Sequence, residues 1–241
     1  MSQEINFSKI VVFTGAGISA ESGIQTYRDS DGLWQKTDGR KVASTESWRS
    51  DPKALLDFFN ARMTAVKAAE PNQAHHAVQA LEKHFEVVVI TQNIDDLHER
   101  AGSSNVIHLH GSMLEAYPDG HPEAVQKRGL KPIQFGETNE DGRQIRPNVV
   151  LFGEGIHHYE EAKKHLQTAG KVLVVGTSLM VEPAASLLKK SRYEAERILI
   201  SKAVDRKPYG FEILRGLATE LVPTIVNNWI KPHRDQTAQQ S

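Results

Sequence analysis

The stretch KIVVFTGAGISAESGIQTYR, residues 9–28, decides the fold. A short apolar run, Ile10 to Phe13, leads directly into Gly15-Ala16-Gly17, with Ser19, Ser22 and Gly23 behind it. Consecutive apolar residues between polar clusters suit a buried parallel strand. Closely spaced glycines let backbone N–H groups approach an anion with no Cβ in the way, and a helix starting there would aim its positive end at the same anion. An ordinary glycine-rich βα connection has the same local pattern, because paired glycines alone are a weak signal. The strands and polar clusters further along the chain separate the two.

Around this stretch, 241 residues allow one large domain with a smaller lobe. Lys and Arg (29) nearly balance Asp and Glu (30), for a formal charge of −1, which argues against a general nucleic-acid surface. There are no cysteines, so disulfides, thiolate metal sites and cysteine nucleophiles are excluded. The opening residues MSQEINFSK lack a signal-peptide layout, and no apolar run approaches the roughly 20 residues of a membrane helix. The expectation is a cytoplasmic protein without membrane partners.

Periodicity gives the other elements. Asp51-Pro52 reads as a helix cap and first turn, followed by Leu55, Leu56, Phe58, Phe59, Met63 and Val66 on one apolar face. Pro71 ends that helix, and a second runs through Ala74, Val78, Leu81 and Phe85. Val87–Ile90 is a second strand, ending in Thr91-Gln92-Asn93-Ile94-Asp95-Asp96. Val106-Ile107-His108-Leu109-His110-Gly111-Ser112 repeats the arrangement, and alternation puts His108 and His110 on one side. Further strands are expected at 149–152, 172–175, 198–200 and 221–226, and a helix start at Glu182-Pro183. Residues 35–83 read as a mainly helical insertion and 113–145 as loop-rich, together forming the small lobe; the tail from about 232 reads as disordered. Alternating strands and helices predict an α/β fold, a doubly wound, Rossmann-like parallel sheet with that lobe attached.

Four polar clusters, GAGISAES, TQNIDD, HLHGS and GTSLMVEPA, follow strands, and in such a sheet those ends meet at one crevice. Gly176-Thr177-Ser178 offers a second tight turn with hydroxyls and amides. Asn93 and Asp95 suit ribose hydroxyls or a carboxamide. His110 is the group in these clusters whose ordinary pKa makes it a neutral base near pH 7, although a single histidine can equally be structural.

Together the clusters resemble the sirtuin family, the NAD-dependent protein lysine deacylases, from about Ile10 to Val226. The blocks are GAGIS-ESGI with Tyr27-Arg28, TQNIDDLHERAG at 91–102, HLHGS at 108–112, RPNVVLFGE at 146–154 and GTSLMVEPA at 176–184. The resemblance implies NAD phosphates at Gly15, Ala16 and Gly17 and at Gly176, Thr177 and Ser178. Ser19, Ala20, Tyr27 and Arg28 would join the cofactor site, with a loop from Ala20 to about Trp34 closing over it. Ser201 and Ala218 would lie near the adenosine, and Gln92, Asn93, Ile94 and Asp95 around nicotinamide and its ribose. His110 would be the general base, with Asn93 and Asp95 beside it as catalytic groups. An acyl-lysine peptide would add between strand edges at Phe152-Gly153-Glu154 and Val181. Products would be nicotinamide, free lysine and O-acyl-ADP-ribose.

The sequence departs from the family's pattern in three places. Most sirtuins hold a structural zinc with two Cys-x-x-Cys pairs between the third and fourth blocks. Here Met113 to Ile145 has none, and Glu115, Asp119, His121 and Glu123 are a poor donor set, so no metal is expected. The lobe would rest on a few apolar residues, Leu114, Tyr117, Leu130, Ile133 and Phe135, and be mobile. Gln25 and Tyr27 stand where the family usually has Pro and Phe, and Ser201 where it has Asn. Members preferring succinyl or malonyl lysine carry Tyr-x-x-Arg on the small-lobe helix, whereas this chain has Phe59-Asn60-Ala61-Arg62. Arg62 could still pair with an acyl carboxylate, which suggests an accommodating pocket that accepts acetyl and acidic acyl groups. The expected function is lysine deacylation. An NAD hydrolase, or a silent NAD or ADP-ribose sensor, is the alternative.

Overall fold

The computed structural model describes residues 4–26, 39–204 and 207–238. In chain order the strands are β1 (Asn6–Thr14), β2 (Glu86–Thr91), β3 (Val106–His108), β4 (Gly111–Pro118), β5 (Gln126–Lys127), β6 (Ile145–Val149), β7 (Ala169–Val175), β8 (Glu196–Ile200) and β9 (Glu212–Leu214). Six form a sheet in the order β3-β2-β1-β7-β8-β9, with every neighbouring pair parallel. The order reverses beside β1, whose partners β2 and β7 are separated by the small lobe in sequence. In open α/β sheets a ligand crevice opens at that switch point.

β1 is buried on both faces because side chains alternate. Ile10 and Val12 face a core with Val89, Leu173 and Val175, covered by the helices Gln73–Ala80 and Ala218–Ala238. Val11 and Phe13 face a second core with Val88, Ile90 and Val174, covered by the helix Tyr159–Thr168 and the short helix Ala184–Leu187. The helix Gln73–Ala80 therefore covers the sheet instead of joining the small lobe, which narrows the expected 35–83 insertion. The short helices Gly39–Val42 and Thr45–Ser50 and the long helix Pro52–Ala68 remain as its helical part. Asp51 caps that long helix as expected, its side chain accepting from Ala54 N–H. Among the described residues no helix is long and apolar enough to cross a membrane.

Several expectations need correction. The segment 113–145 is not simply loop-rich: β4 pairs antiparallel with β5 and β6 in a three-stranded sheet. The strand expected at 149–152 lies earlier, at Ile145–Val149. Residues 221–226 belong to the helix Ala218–Ala238, because Val222, Val226, Trp229 and Ile230 bury one helical face. That helix continues to Ala238, through most of the tail expected to be disordered. The glycine turn opens no α-helix, only two short 3-10 turns, Ala16–Ile18 and Ala20–Ser22.

Its glycines also have a structural reason that local sequence does not reveal. A Cβ on Gly17 would lie 2.6 Å from Gly176 Cα, and one on Gly176 would lie 2.3 Å from Ile18 N. Gly15 N–H donates to Val175 O (3.0 Å) and Gly17 N–H to Gly176 O (2.7 Å). These amides are spent on the crossing of two loops and do not face an anion.

Polar contacts hold much of the small lobe. Arg128 makes a two-pronged pair with Glu137, at 2.5 and 3.0 Å. Gln144 Nε2 lies within 3.0 Å of the carbonyls of Gln134, Glu137 and Ile145, while its Oε1 accepts from Gly136 N–H. Asn60, on the long helix, bonds both N–H and C=O of Ile133, which packs on Leu56 and Ala116. Phe135, expected in the core, is 59% exposed. The donors left for a zinc are otherwise engaged, His121 with Glu123 and Glu115 with Asn148, and among the described residues no cluster could hold a metal.

Three outcomes follow. Gly176→Ala should lose about 2–4 kcal/mol of stability in urea unfolding, from a Cβ with no room on a left-handed backbone (φ 65°). Gln144→Ala should cost about 1–3 kcal/mol by the same measurement. A metal chelator should leave the melting temperature unchanged, and a chelator-induced drop would contradict a lobe held by polar contacts.

Candidate active site

At the carboxyl ends of β1, β2, β7 and β8 the chain encloses a cleft of about 510 Å³. That is within the roughly 300–1,000 Å³ of small-molecule and cofactor sites. Gly15, Ala16, Gly17, Ala20, Gln92, Asn93, Ile94, Asp95 and His110 line it, as do Gly176, Thr177, Ser178, Ser201 and Ala218. Phe59, Arg62, Phe152, Gly153, Glu154 and Val181 share its walls. Tyr27 and Arg28, with most of the expected closing loop, lie outside the described residues.

Ser19 is the exception among the described candidates: it is fully buried behind the cleft. Its hydroxyl accepts from Asn93 Nδ2 (3.2 Å) and donates to Asp95 Oδ2 (3.1 Å), so it sets the two residues relative to one another. Asn93 Nδ2 also lies 3.3 Å from Gly15 O, tying the β2 loop to the glycine turn. Burial pushes the Asp95 carboxyl up from the usual range, against the Leu97 N–H and Ser19 hydroxyl bonds that favour its charged form. Thr177 Oγ1 donates to Gln92 Oε1 (2.7 Å), which orients the Gln92 amide.

His108 and His110 are chemically distinct. His110 Nδ1 lies 2.9 Å from Gln92 O, and a carbonyl can only accept, so Nδ1 carries the proton and Nε2 the lone pair. Burial lowers the His110 pKa from 6.5, aided by His157 and opposed by the Gln92 bond. His108 bonds Asn93 O through Nδ1 (2.9 Å) and Glu99 through Nε2 (2.7 Å), two acceptors that call for a proton on each nitrogen. Burial opposes that charge, but Glu99, the Asn93 carbonyl and Asp95 together outweigh it and the His108 pKa is raised. Alternation would have put both histidines on one side, yet β3 ends at His108, and only His110 lines the cleft.

The wall at 152–154 differs from a free strand edge. Phe152 N–H donates to Ala43 O (2.9 Å) and its carbonyl accepts from Thr45 N–H (3.1 Å). The Glu154 carboxylate is held by Arg146 (3.0 Å) and by Leu151 N–H (2.8 Å). Residues that sequence reasoning missed include Ile24, Arg40, Met113, Met180 and Lys202. Lys202 adjoins Ser201 at a strand end, where position could have flagged it; Arg40 carries no such signal.

A glycine-lined turn closed by a buried Asn–Ser–Asp relay, on a cleft of this size at the switch point, fits a dinucleotide. The Sir2 family profile matches residues 15–183. The chain is 46% identical over 186 residues to an NAD-dependent protein deacylase of Helicobacter pylori strain 26695, covering 77% of this chain and 81% of that one. It is 44% identical over 218 residues to an NAD-dependent protein deacylase of Bacteroides thetaiotaomicron, covering 88% and 93%. A solved Sir2 homologue–NAD complex superposes with a TM-score of 0.82 at 35% identity, over 94% of this chain and 92% of that one. The chain belongs to the Sir2 family.

Proposed function

We propose that this cleft performs NAD-dependent removal of acyl groups from lysine side chains of proteins, with His110 as its general base. The observation that carries the reading is the His110–Gln92 bond, which leaves the Nε2 lone pair free on a cleft that buried Asn93 and Asp95 also line. NAD supplies an electrophilic ribose carbon whose nicotinamide can leave, and its ADP-ribose part accepts the acyl group.

Gly15, Ala16, Gly17, Gly176, Thr177 and Ser178 border the phosphates in this reading, and Ser201 and Ala218 the adenosine. Because the Gly15 and Gly17 amides are spent, the glycines act by allowing close approach. Asn93, Ile94 and Asp95 orient nicotinamide and its ribose, while Ser19 fixes Asn93 and Asp95 from behind. His110 Nε2 takes a proton from a ribose hydroxyl, and its imidazolium is then steadied by the Gln92 carbonyl. The acylated lysine enters between Gly153 and the Met180–Val181 wall, its acyl group directed toward Phe59 and Arg62. Phe152 supports that wall from the other side, its own backbone groups being engaged.

Incubation with NAD and acetyl- or succinyl-lysine peptides, following peptide mass and nicotinamide release, separates the readings. Peptide-dependent release is expected. Peptide-independent release would point to an NAD hydrolase, and saturable binding without turnover to a sensor. His110→Ala should lower kcat by roughly 10²–10⁴-fold with NAD affinity retained. The active form of His110 is neutral and its pKa is lowered, so kcat/KM should hold on acidification to about pH 6.5 and fall only below it. An acid limb above that pH would contradict this assignment.

Arg62 sits half-buried on the long helix, one turn from Phe59. Arg62→Met should cost succinyl-lysine turnover about 10–100-fold in kcat/KM while changing acetyl-lysine little. Equal losses on both would show that Arg62 does not read the acyl group.

A further inference from the structure

Arg40 is an exposed cation that lines the rim of the cleft. Its short helix, Gly39–Val42, is fastened to the peptide wall. Ala43 N–H donates to Gly39 O (2.9 Å), and Ala43 O in turn accepts from Phe152 N–H (2.9 Å). The Arg40 guanidinium carbon lies 5.9 Å from the centroid of the Phe152 ring. An aromatic face beneath a guanidinium favours a stacked, pre-set orientation, which lowers the entropy lost when its planar fork meets a carboxylate.

The carboxylates of the cleft leave this cation unmatched. Asp95 is bonded to Ser19 and Leu97 N–H, Glu154 is paired with Arg146, and Glu182 accepts from Ser186 N–H on the opposite wall. Among the described residues no carboxylate lies within ion-pair distance of Arg40. Its neighbour Lys41 is also exposed, which adds a second positive charge beside it among the described residues.

Taking the deacylase reading as its basis, we propose that Arg40 selects protein sites in which an Asp or Glu lies close to the acylated lysine. Its place on the rim separates it from Arg62, which sits deeper, against the acyl end. A substrate chain lying along Gly153 would carry its flanking side chains past Arg40, whereas the acyl group would point away from it. Arg40 is thus a specificity residue for the peptide and takes no part in bond making.

The test uses acetyl-lysine peptides of one parent sequence, with Asp, Ala or Lys placed in turn at the two positions on either side of the acetyl-lysine. KM and kcat are measured at saturating NAD for the wild type, Arg40→Ala and Arg40→Glu. At one or more flanking positions the wild type should show a KM about two- to tenfold lower for Asp than for Lys, with kcat unchanged and the difference shrinking in salt. Arg40→Ala should flatten that order and Arg40→Glu should reverse it. The same Asp-to-Lys KM ratio in Arg40→Glu and wild type at every position would overturn the proposal. Failure of all peptides, the alanine parent included, would overturn the deacylase reading and this inference with it, whereas turnover without charge preference overturns Arg40 alone.

Discussion

The crossing of the Gly15–Gly17 turn over Gly176 is the constraint on which the rest of the cleft depends. The Gly17 N–H to Gly176 O contact of 2.7 Å brings the ends of β1 and β7 closer than any side chain permits. Gly176 N–H in turn donates to Ile200 O (2.9 Å), so β8 is drawn into the same arrangement. Three strand ends are thereby fixed before any ligand is considered, and Asn93 adds the fourth by reaching Gly15 O from the β2 loop. Pre-organisation here is a property of backbone contacts, which are stiffer than loops positioned by side chains alone.

The β2 loop is held by histidines as well as by strands. His110 and His108 dock on the successive carbonyls of Gln92 and Asn93, so the loop's path and the protonation of the two rings are set by the same bonds. The two rings differ in their surroundings: Glu99 helps raise the His108 pKa against the effect of burial, whereas burial lowers that of His110. Below them, buried Thr14 and Thr91 share a hydroxyl bond, and Thr91 Oγ1 accepts from Asn93 N–H. The candidate base and the polar groups beside it thus share one scaffold.

The buried strands and most cleft residues were legible because they rest on local patterns: an apolar run, a turn, and a polar cluster at a strand end. What local pattern cannot carry is partnership over distance. The glycines read as anion ligands because their real neighbour, Gly176, is remote in sequence. β4 and β5 give no such signal, because their pairing joins segments rich in charge and turn residues, without the run of apolar residues that marks β1, and β6 begins ahead of the apolar run at 149–152. Leu221-Val222-Pro223-Thr224-Ile225-Val226 is β-prone locally, while the spacing of Val222, Val226, Trp229 and Ile230 against the sheet decides for helix. Ser19 looked like a ligand residue and is a buried bridge, a distinction visible only through its two partners.

The small lobe shows how a cysteine-free chain can hold a wall that bears on chemistry. Arg146 is 4% exposed and its guanidinium lies 5.4 Å from the Trp48 ring and 5.1 Å from Tyr117, with Glu154 as its ion partner. A buried charge is costly unless its partner and its hydrogen bonds are both in place, so the pair enforces one geometry over looser packings. Because Glu154 also accepts Leu151 N–H, that geometry is passed directly to the segment 149–154 on the cleft. Glu154 therefore anchors the wall that it also lines. The polar contacts around Gln144 act at the other end of the same strand, where Ile145 N–H bonds Glu137 O (2.8 Å) and β6 begins. One short strand is pinned at both ends by polar side chains, and the cleft wall at 152–154 hangs from it.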